Sequence, residues 1–214
     1  MTEAEWAACD DPRALLDYHR MKRDPRRLRL LAVACARLIR PSAACARSVP
    51  PAAVPPDVGP VLDVVERYAD GTATRAEFLA ARKLARAAGR HPAVDPLAGR
   101  VYAWLADDAL EALTTAISVA RGLTGPGGAA AECALTRCAF GNPFRTIAFA
   151  PPWRTEAVIG LATGIAAGGF DRLPALADAL EAAGCADRDV LAHARGPGPH
   201  ALCCWVVDGL LGRS

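Results

Sequence analysis

No apolar run in the sequence is long enough for a membrane-spanning helix, so a transmembrane segment is not expected. The chain opens on Glu3, Glu5, Asp10 and Asp11, without the basic stretch and apolar core of a secretory signal, and a cytoplasmic address is the expectation. Aromatic residues make up only 6% of the chain, while the 52% hydrophobic fraction leans heavily on alanine. Such a core closes by near approach of helices over small side chains, not around aromatic plugs. Neither sign of charge dominates: 25 Lys and Arg face 23 Asp and Glu, for a net charge of +2. That balance selects neither nucleic acid nor an acidic membrane as a partner. The eight cysteines include no CxxC pair, which removes the usual local signature of a zinc or thiol-redox site. In a reducing compartment they read as free thiols, most of them small buried hydrophobes among alanine and leucine.

Phosphate-binding loops are missing as well. The Gly125–Gly128 run lacks the Lys-Ser/Thr ending of a P-loop. In Gly196-Pro197-Gly198-Pro199 the prolines remove N–H groups that a phosphate cradle would use. Asn-Gly or Asp-Gly turns between alternating apolar runs, the mark of hairpins, are also lacking.

What is present is helix punctuation. Thr2 and Glu5, and again Thr74 and Glu77, have capping-box spacing. Asp11-Pro12 and Asp24-Pro25 each place an N-cap before a proline at the first helical position. The second opens a helix to about Arg40, stopped by Pro41, with Leu28, Leu31, Cys35, Leu38 and Ile39 on one face. Residues 41–60, rich in Pro and Ala, predict an internal loop or linker. Helices are expected over about 61–70 (ended by Gly71), over about 75–88, and over about 96–123, the last two within an Ala-rich stretch at 74–123. Others are expected at 129–139, 156–167, 173–183, 188–194 and 199–211, the last apolar nearly all round and therefore buried. Ile147 to Phe149 is the one short run with the residue types of a strand. The prediction is a single all-α domain over residues 1–214, an irregular multi-helix bundle of short helices with a Pro-rich loop after the first ones.

Several segments together carry a resemblance. They are Met1-Thr2-Glu3-Ala4-Glu5-Trp6, Arg27-Leu28-Arg29-Leu30, Glu66-Arg67-Tyr68-Ala69-Asp70-Gly71 and Phe140-Gly141-Asn142-Pro143-Phe144-Arg145. Trp153, Phe170-Asp171-Arg172-Leu173-Pro174, Gly196-Pro197-Gly198-Pro199-His200 and Cys204-Trp205-Val206-Val207-Asp208 continue it. The chain resembles a family of helical bacterial proteins abundant in planctomycetes whose function is unassigned. The resemblance implies a helical fold and a bacterial origin, and it supplies no catalytic residue.

Three sets of residues are candidate sites. His193, His200, Cys203 and Cys204, with Cys185 nearby, carry the donor types of a zinc shell. On a helix starting at Pro199, His200 would share a face with Cys203 and Cys204. The spacing fits no zinc template, and the plainer expectation is cysteines in the core with His200 capping the helix. The same residues admit a nucleophile, a thiol of Cys185, Cys203 or Cys204 activated by His193 or His200 and oriented by Asp208. A thiol in an apolar helix has its pKa raised, which argues against that arrangement. From Arg20 to Arg40 eight cations face one acid, and Arg26, Arg27, Arg29 and Arg37 would carry any nucleic-acid contact. Base-stacking aromatics are missing there, so the plainer expectation is a solvated face docking on the acids between Asp171 and Asp189. Last, Phe144, Arg145 and Trp153 are residue types that anchor protein partners. With no catalytic set and no cofactor motif, the preferred expectation is a non-enzymatic domain that binds an unidentified protein. A metal- or thiol-dependent enzyme using His193, His200 and Cys204 is the rival.

Overall fold

The computed structural model describes residues 1–18, 24–38, 59–88, 90, 108–124 and 126–213. Among these residues lie eleven α-helices, two 3₁₀ turns and no strand, so the fold is all-α. The helices are α1 (Glu3–Ala8), α2 (Pro12–Leu16), α3 (Pro25–Leu38), α4 (Gly59–Ala69), α5 (Arg75–Ala88) and α6 (Ala109–Thr124). They continue with α7 (Pro126–Phe140), α8 (Glu156–Ala166), α9 (Leu173–Ala182), α10 (Arg188–Arg195) and α11 (Trp205–Leu211). Two compact units emerge: Asp10–Cys133, and Met1–Cys9 together with Ala134–Ser214. Most of the predicted 41–60 loop lies outside the described residues, but its last two residues, Gly59 and Pro60, already belong to α4. Of the predicted 96–123 helix, residues 96–107 lie outside the description. The helix seen there starts at Ala109, where Asp108 Oδ1 accepts from the N–H groups of Leu110 (2.9 Å) and Glu111 (3.0 Å). At Gly125–Gly128 the sequence predicts a longer break than exists, because α7 already begins at Pro126.

In the Asp10–Cys133 unit, α3 is the central helix, packed against α4 and α6. Leu28, Leu31 and Cys35 are buried as the pattern requires, and Leu30, Ala32, Val33 and Ala36 are buried too. The helix is covered on more sides than one amphipathic stripe predicts. Its polar strip meets the acids of α4. Asp63, Glu66 and Asp70 recur at helical spacing along one edge, so each comes within reach of an arginine from α3. Arg26 Nε lies 2.7 Å from Asp70 Oδ1, and Arg37 Nη2 lies 2.8 Å from both Asp63 Oδ1 and Glu66 Oε2. Arg27 folds back on Asp24 at 3.2 Å. Arg29 sits over the stacked rings of Tyr68 and Phe78, 5.7 and 5.0 Å from their centroids. The acids at 178–189 are likewise engaged nearby, Asp178 and Glu181 by Arg195 and Asp189 by Arg145.

In the other unit α1 is held by the predicted capping box: Thr2 N–H donates to Glu5 Oε2 at 2.7 Å and Glu5 N–H to Thr2 Oγ1 at 3.2 Å. Arg137, on α7, donates to the carbonyls of Trp6 (2.8 Å) and Cys9, filling acceptors that the end of α1 leaves open. The core lies between α8, α9, α10 and α11, where Ile165, Leu176, Leu180, Val190 and Val206 are fully buried. Two predicted elements differ from what forms. Ile147 to Phe149 pairs with nothing as a strand. Phe149 instead lays its ring over Gly209 of α11, between Trp153 and Trp205. The predicted 199–211 helix begins only at Trp205, with Cys204 as its N-cap. Gly198, at φ +80°, turns the chain back at the start of that stretch. Residues 199–204 therefore run as a loop that returns His200 toward α10, and the expected helical face shared by His200, Cys203 and Cys204 does not exist.

Candidate metal centre

Cys138 lies in the last turns of α7, where Leu135, Cys138 and Ala139 are all buried and aim that face into the core. His193 lies in the last turn of α10, a helix opened by Asp187, whose Oδ1 accepts from Asp189 N–H (2.9 Å) and Val190 N–H (3.1 Å). Cys204 ends the loop from Gly198 and starts α11. These three elements bring one donor atom from each of Cys138, His193 and Cys204 to within 4.8 Å of one another. His193 Nε2 stands 3.3 Å from Cys204 Sγ. His200 Nδ1 stands 3.6 Å from Cys138 Sγ, and the two imidazoles meet edge to face with centroids 5.3 Å apart. Both sulfurs are buried, at 1% exposure each, while the histidines are half-buried.

The surroundings polarise this group. The Cys138 thiol hydrogen-bonds to the Cys204 sulfur, and that contact, with His193 beside it, pushes the Cys204 thiol well below its usual range. The same contact, together with burial, pushes Cys138 up. Burial, and then the neighbouring His193, lower the imidazole of His200 and favour its neutral form. The N–H of Ala201 points at Cys138 Sγ from 3.4 Å and opposes the rise of that thiol without cancelling it. One thiol biased to thiolate, a second thiol beside it and two imidazoles form a donor set for a borderline-soft ion.

Of the residues singled out in the sequence, His193 and Cys204 belong to the converging set, and His200 lies against it through Cys138 and the His193 ring. Cys203 and Cys185 are buried and stand outside the converging set. Cys138, far upstream, carries no signal of a site in the sequence. It sits inside an Ala-rich helix with no partner cysteine at metal-ligand spacing, so only the packing of α7 on the C-terminal helices brings it in. All seven described cysteines are free thiols. As a nucleophile Cys204 is poorly placed, because at 1% exposure no substrate reaches its sulfur.

Elsewhere, Phe144 is half-buried and Arg145 is exposed and paired with Asp189. Trp153 is half-buried and packs edge-on against Phe149 at 6.4 Å. The turn carrying Phe144 is fastened by Asn142, whose Oδ1 accepts from Phe144 N–H at 3.0 Å and whose Nδ2 donates to Glu3 at 2.6 Å. Among the described residues no helix is long and apolar enough to cross a membrane. The chain matches no family model, no curated protein and no solved structure.

Proposed function

We propose that the unit formed by Met1–Cys9 and Ala134–Ser214 is a zinc-binding helical domain with Cys138, His193 and Cys204 as ligands. One observation carries this reading: three donors of the right types, one of them more than fifty residues upstream of the other two, lie within 4.8 Å of one another, with both sulfurs buried. Buried thiols gathered with imidazoles at helix ends suit a tetrahedral d¹⁰ ion, and sulfur–nitrogen sets of this kind select zinc over harder cations. A bacterial cytoplasm, where thiols stay reduced, would keep both sulfurs competent to bind. The full chain, expressed and purified without added metal, is expected to carry stoichiometric zinc by elemental analysis. Cys138→Ser and Cys204→Ser are expected to lose it while retaining helical circular dichroism. Wild-type protein that holds no zinc as isolated, and takes up none when reduced and titrated, would sink the reading.

A second reading, a non-enzymatic domain that binds a protein partner, is compatible with the first and rests on the turn at 141–145. Arg145 is exposed there beside half-buried Phe144, and arginine and aromatic residues are the usual anchors of protein interfaces. Arg145 must leave Asp189 to serve a partner, so Asp189→Ala is expected to strengthen partner capture and Arg145→Ala to weaken it. Equal recovery of one identified partner by wild type, Arg145→Ala and Trp153→Ala would remove this surface from consideration.

A further inference from the structure

The three converging donors leave one corner of a tetrahedron to fill. We propose that His200 fills it through Nδ1, closing an S₂N₂ shell around the ion so that no position remains for substrate or water; this inference rests on the zinc-binding reading above.

Two of the distances fit the edges of such a shell. Zinc–sulfur and zinc–nitrogen bonds of about 2.3 and 2.0–2.1 Å at tetrahedral angles put neighbouring sulfur and nitrogen about 3.6 Å apart. The two pairs observed, Cys204 Sγ with His193 Nε2 at 3.3 Å and Cys138 Sγ with His200 Nδ1 at 3.6 Å, share no atom. They can therefore serve as opposite edges of a tetrahedron, and between them they name its four corners. A cysteine and a histidine stand at each edge, so each sulfur has a nitrogen as its close neighbour.

His200 is also prepared for this role on its far side. Its Nε2 faces the carbonyl oxygen of Gly196 at 3.4 Å, and that acceptor holds the ring proton on Nε2. The lone pair is left on Nδ1, the atom turned toward Cys138. Metal-bound imidazoles characteristically donate their other N–H to such an acceptor. Phe170 stacks on the same ring at 5.9 Å and limits its rotation. Gly198 makes room for it, because a Cβ there would lie 3.0 Å from His200 Cδ2. The Gly-Pro-Gly-Pro turn, which binds no phosphate, thus has a use: it returns the second imidazole against the first within seven residues, from His193 to His200. A closed shell of protein donors is the arrangement of structural zinc, whereas catalytic zinc keeps a position open.

Cobalt(II) substitution in the full-length, reduced protein tests this. Wild type is expected to show thiolate-to-cobalt charge transfer together with the intense visible bands of a tetrahedral ion, and to be unmoved by added imidazole or azide. His200→Ala is expected to keep the charge-transfer bands and bind cobalt at least about tenfold more weakly, the lower end of what losing a mere supporting group costs. Its visible bands should shift on adding imidazole, which refills the corner. His200→Cys offers a thiolate at the same corner, stays informative if the alanine variant folds poorly, and should add a third sulfur's share of charge-transfer intensity. Wild-type bands that respond to imidazole as readily as those of His200→Ala, or bands unchanged by both substitutions, would overturn the assignment of His200 while leaving the three-ligand site standing. A wild-type chain that binds no cobalt would overturn both.

Discussion

Zinc added back to chelator-treated protein is expected to raise its melting temperature by on the order of 5–10 °C. The effect follows from linkage: a ligand that binds only the folded chain stabilises it by about 2.7 kcal/mol when present at about a hundred times its dissociation constant. For a chain of this length each kcal/mol moves the midpoint by about 2–4 °C. The topology favours a large response. The ion would tie α7 to the loop before α11 across 62 residues of chain, from Cys138 to His200, and α10 to the start of α11 across 11 residues, from His193 to Cys204. Closing a long loop costs the folded chain entropy once, and a metal clip that holds it closed gains most where the loop is long. Differential scanning calorimetry with and without zinc measures the shift, and amide exchange locates it. Added protection should concentrate in α10, α11 and the end of α7. Cys138→Ser and Cys204→Ser should melt at one temperature whether zinc is present or not. A zinc-independent midpoint in the wild type, or a shift that survives both substitutions, would count against the centre.

The parts of the fold that could be read from sequence are those governed by contacts within a few residues. Capping boxes at Thr2 and Thr74, the Asp-Pro starts at 11–12 and 24–25, and the N-cap at Thr155 act over one helical turn, and all of them formed. The elements that form differently from the sequence expectation are set by long-range packing. Ile147 to Phe149 has the residue types of a strand, yet Phe149 has a deeper place to go, over a bare glycine between two indoles. The last helix starts late because the chain turns back at Gly198, where helical periodicity gives no warning. The arginines of α3 find acids on α4 because those two helices pack together, which charge counting along the chain does not show. The candidate centre divides in the same way. His193, His200 and Cys204 fall within a dozen residues and invite attention as a group. Cys138 joins the candidate centre only when α7 is packed, and in the sequence it is one more cysteine among alanines.

Gly209→Ala is expected to be among the most destabilising single-methyl additions in the C-terminal unit. A Cβ built on Gly209 would stand 2.0 Å from Cε2 of Phe149 and 2.5 Å from two further ring atoms. Overlap of that size cannot be relieved by a small tilt. The ring is confined by Trp153 at 6.4 Å and Trp205 at 6.0 Å, and Arg154 donates to the Gly209 carbonyl at 3.0 Å, fixing the backbone beneath. Glycine inside a helix ordinarily costs about 0.5–1 kcal/mol relative to alanine, so on helix propensity alone the substitution would stabilise α11. Overpacking a filled core costs about 1–3 kcal/mol, and here it opposes and exceeds that gain. Denaturant titration should therefore show a lower midpoint for Gly209→Ala with an unchanged slope. Phe149→Ala should be destabilising by itself, through lost burial between the two indoles. Combining the two should cost less than the sum of the single effects, because without the ring the new methyl has space and the helix keeps its propensity gain. A stabilised Gly209→Ala, or strict additivity in the pair, would show that Phe149 does not rest on this glycine in solution. The same pair bears on the metal centre, since Trp205, which flanks Phe149, also lies 5.6 Å from His193. Displacing the ring should loosen zinc binding as well as lower the midpoint, whereas a substitution on the far side of the core should lower the midpoint alone.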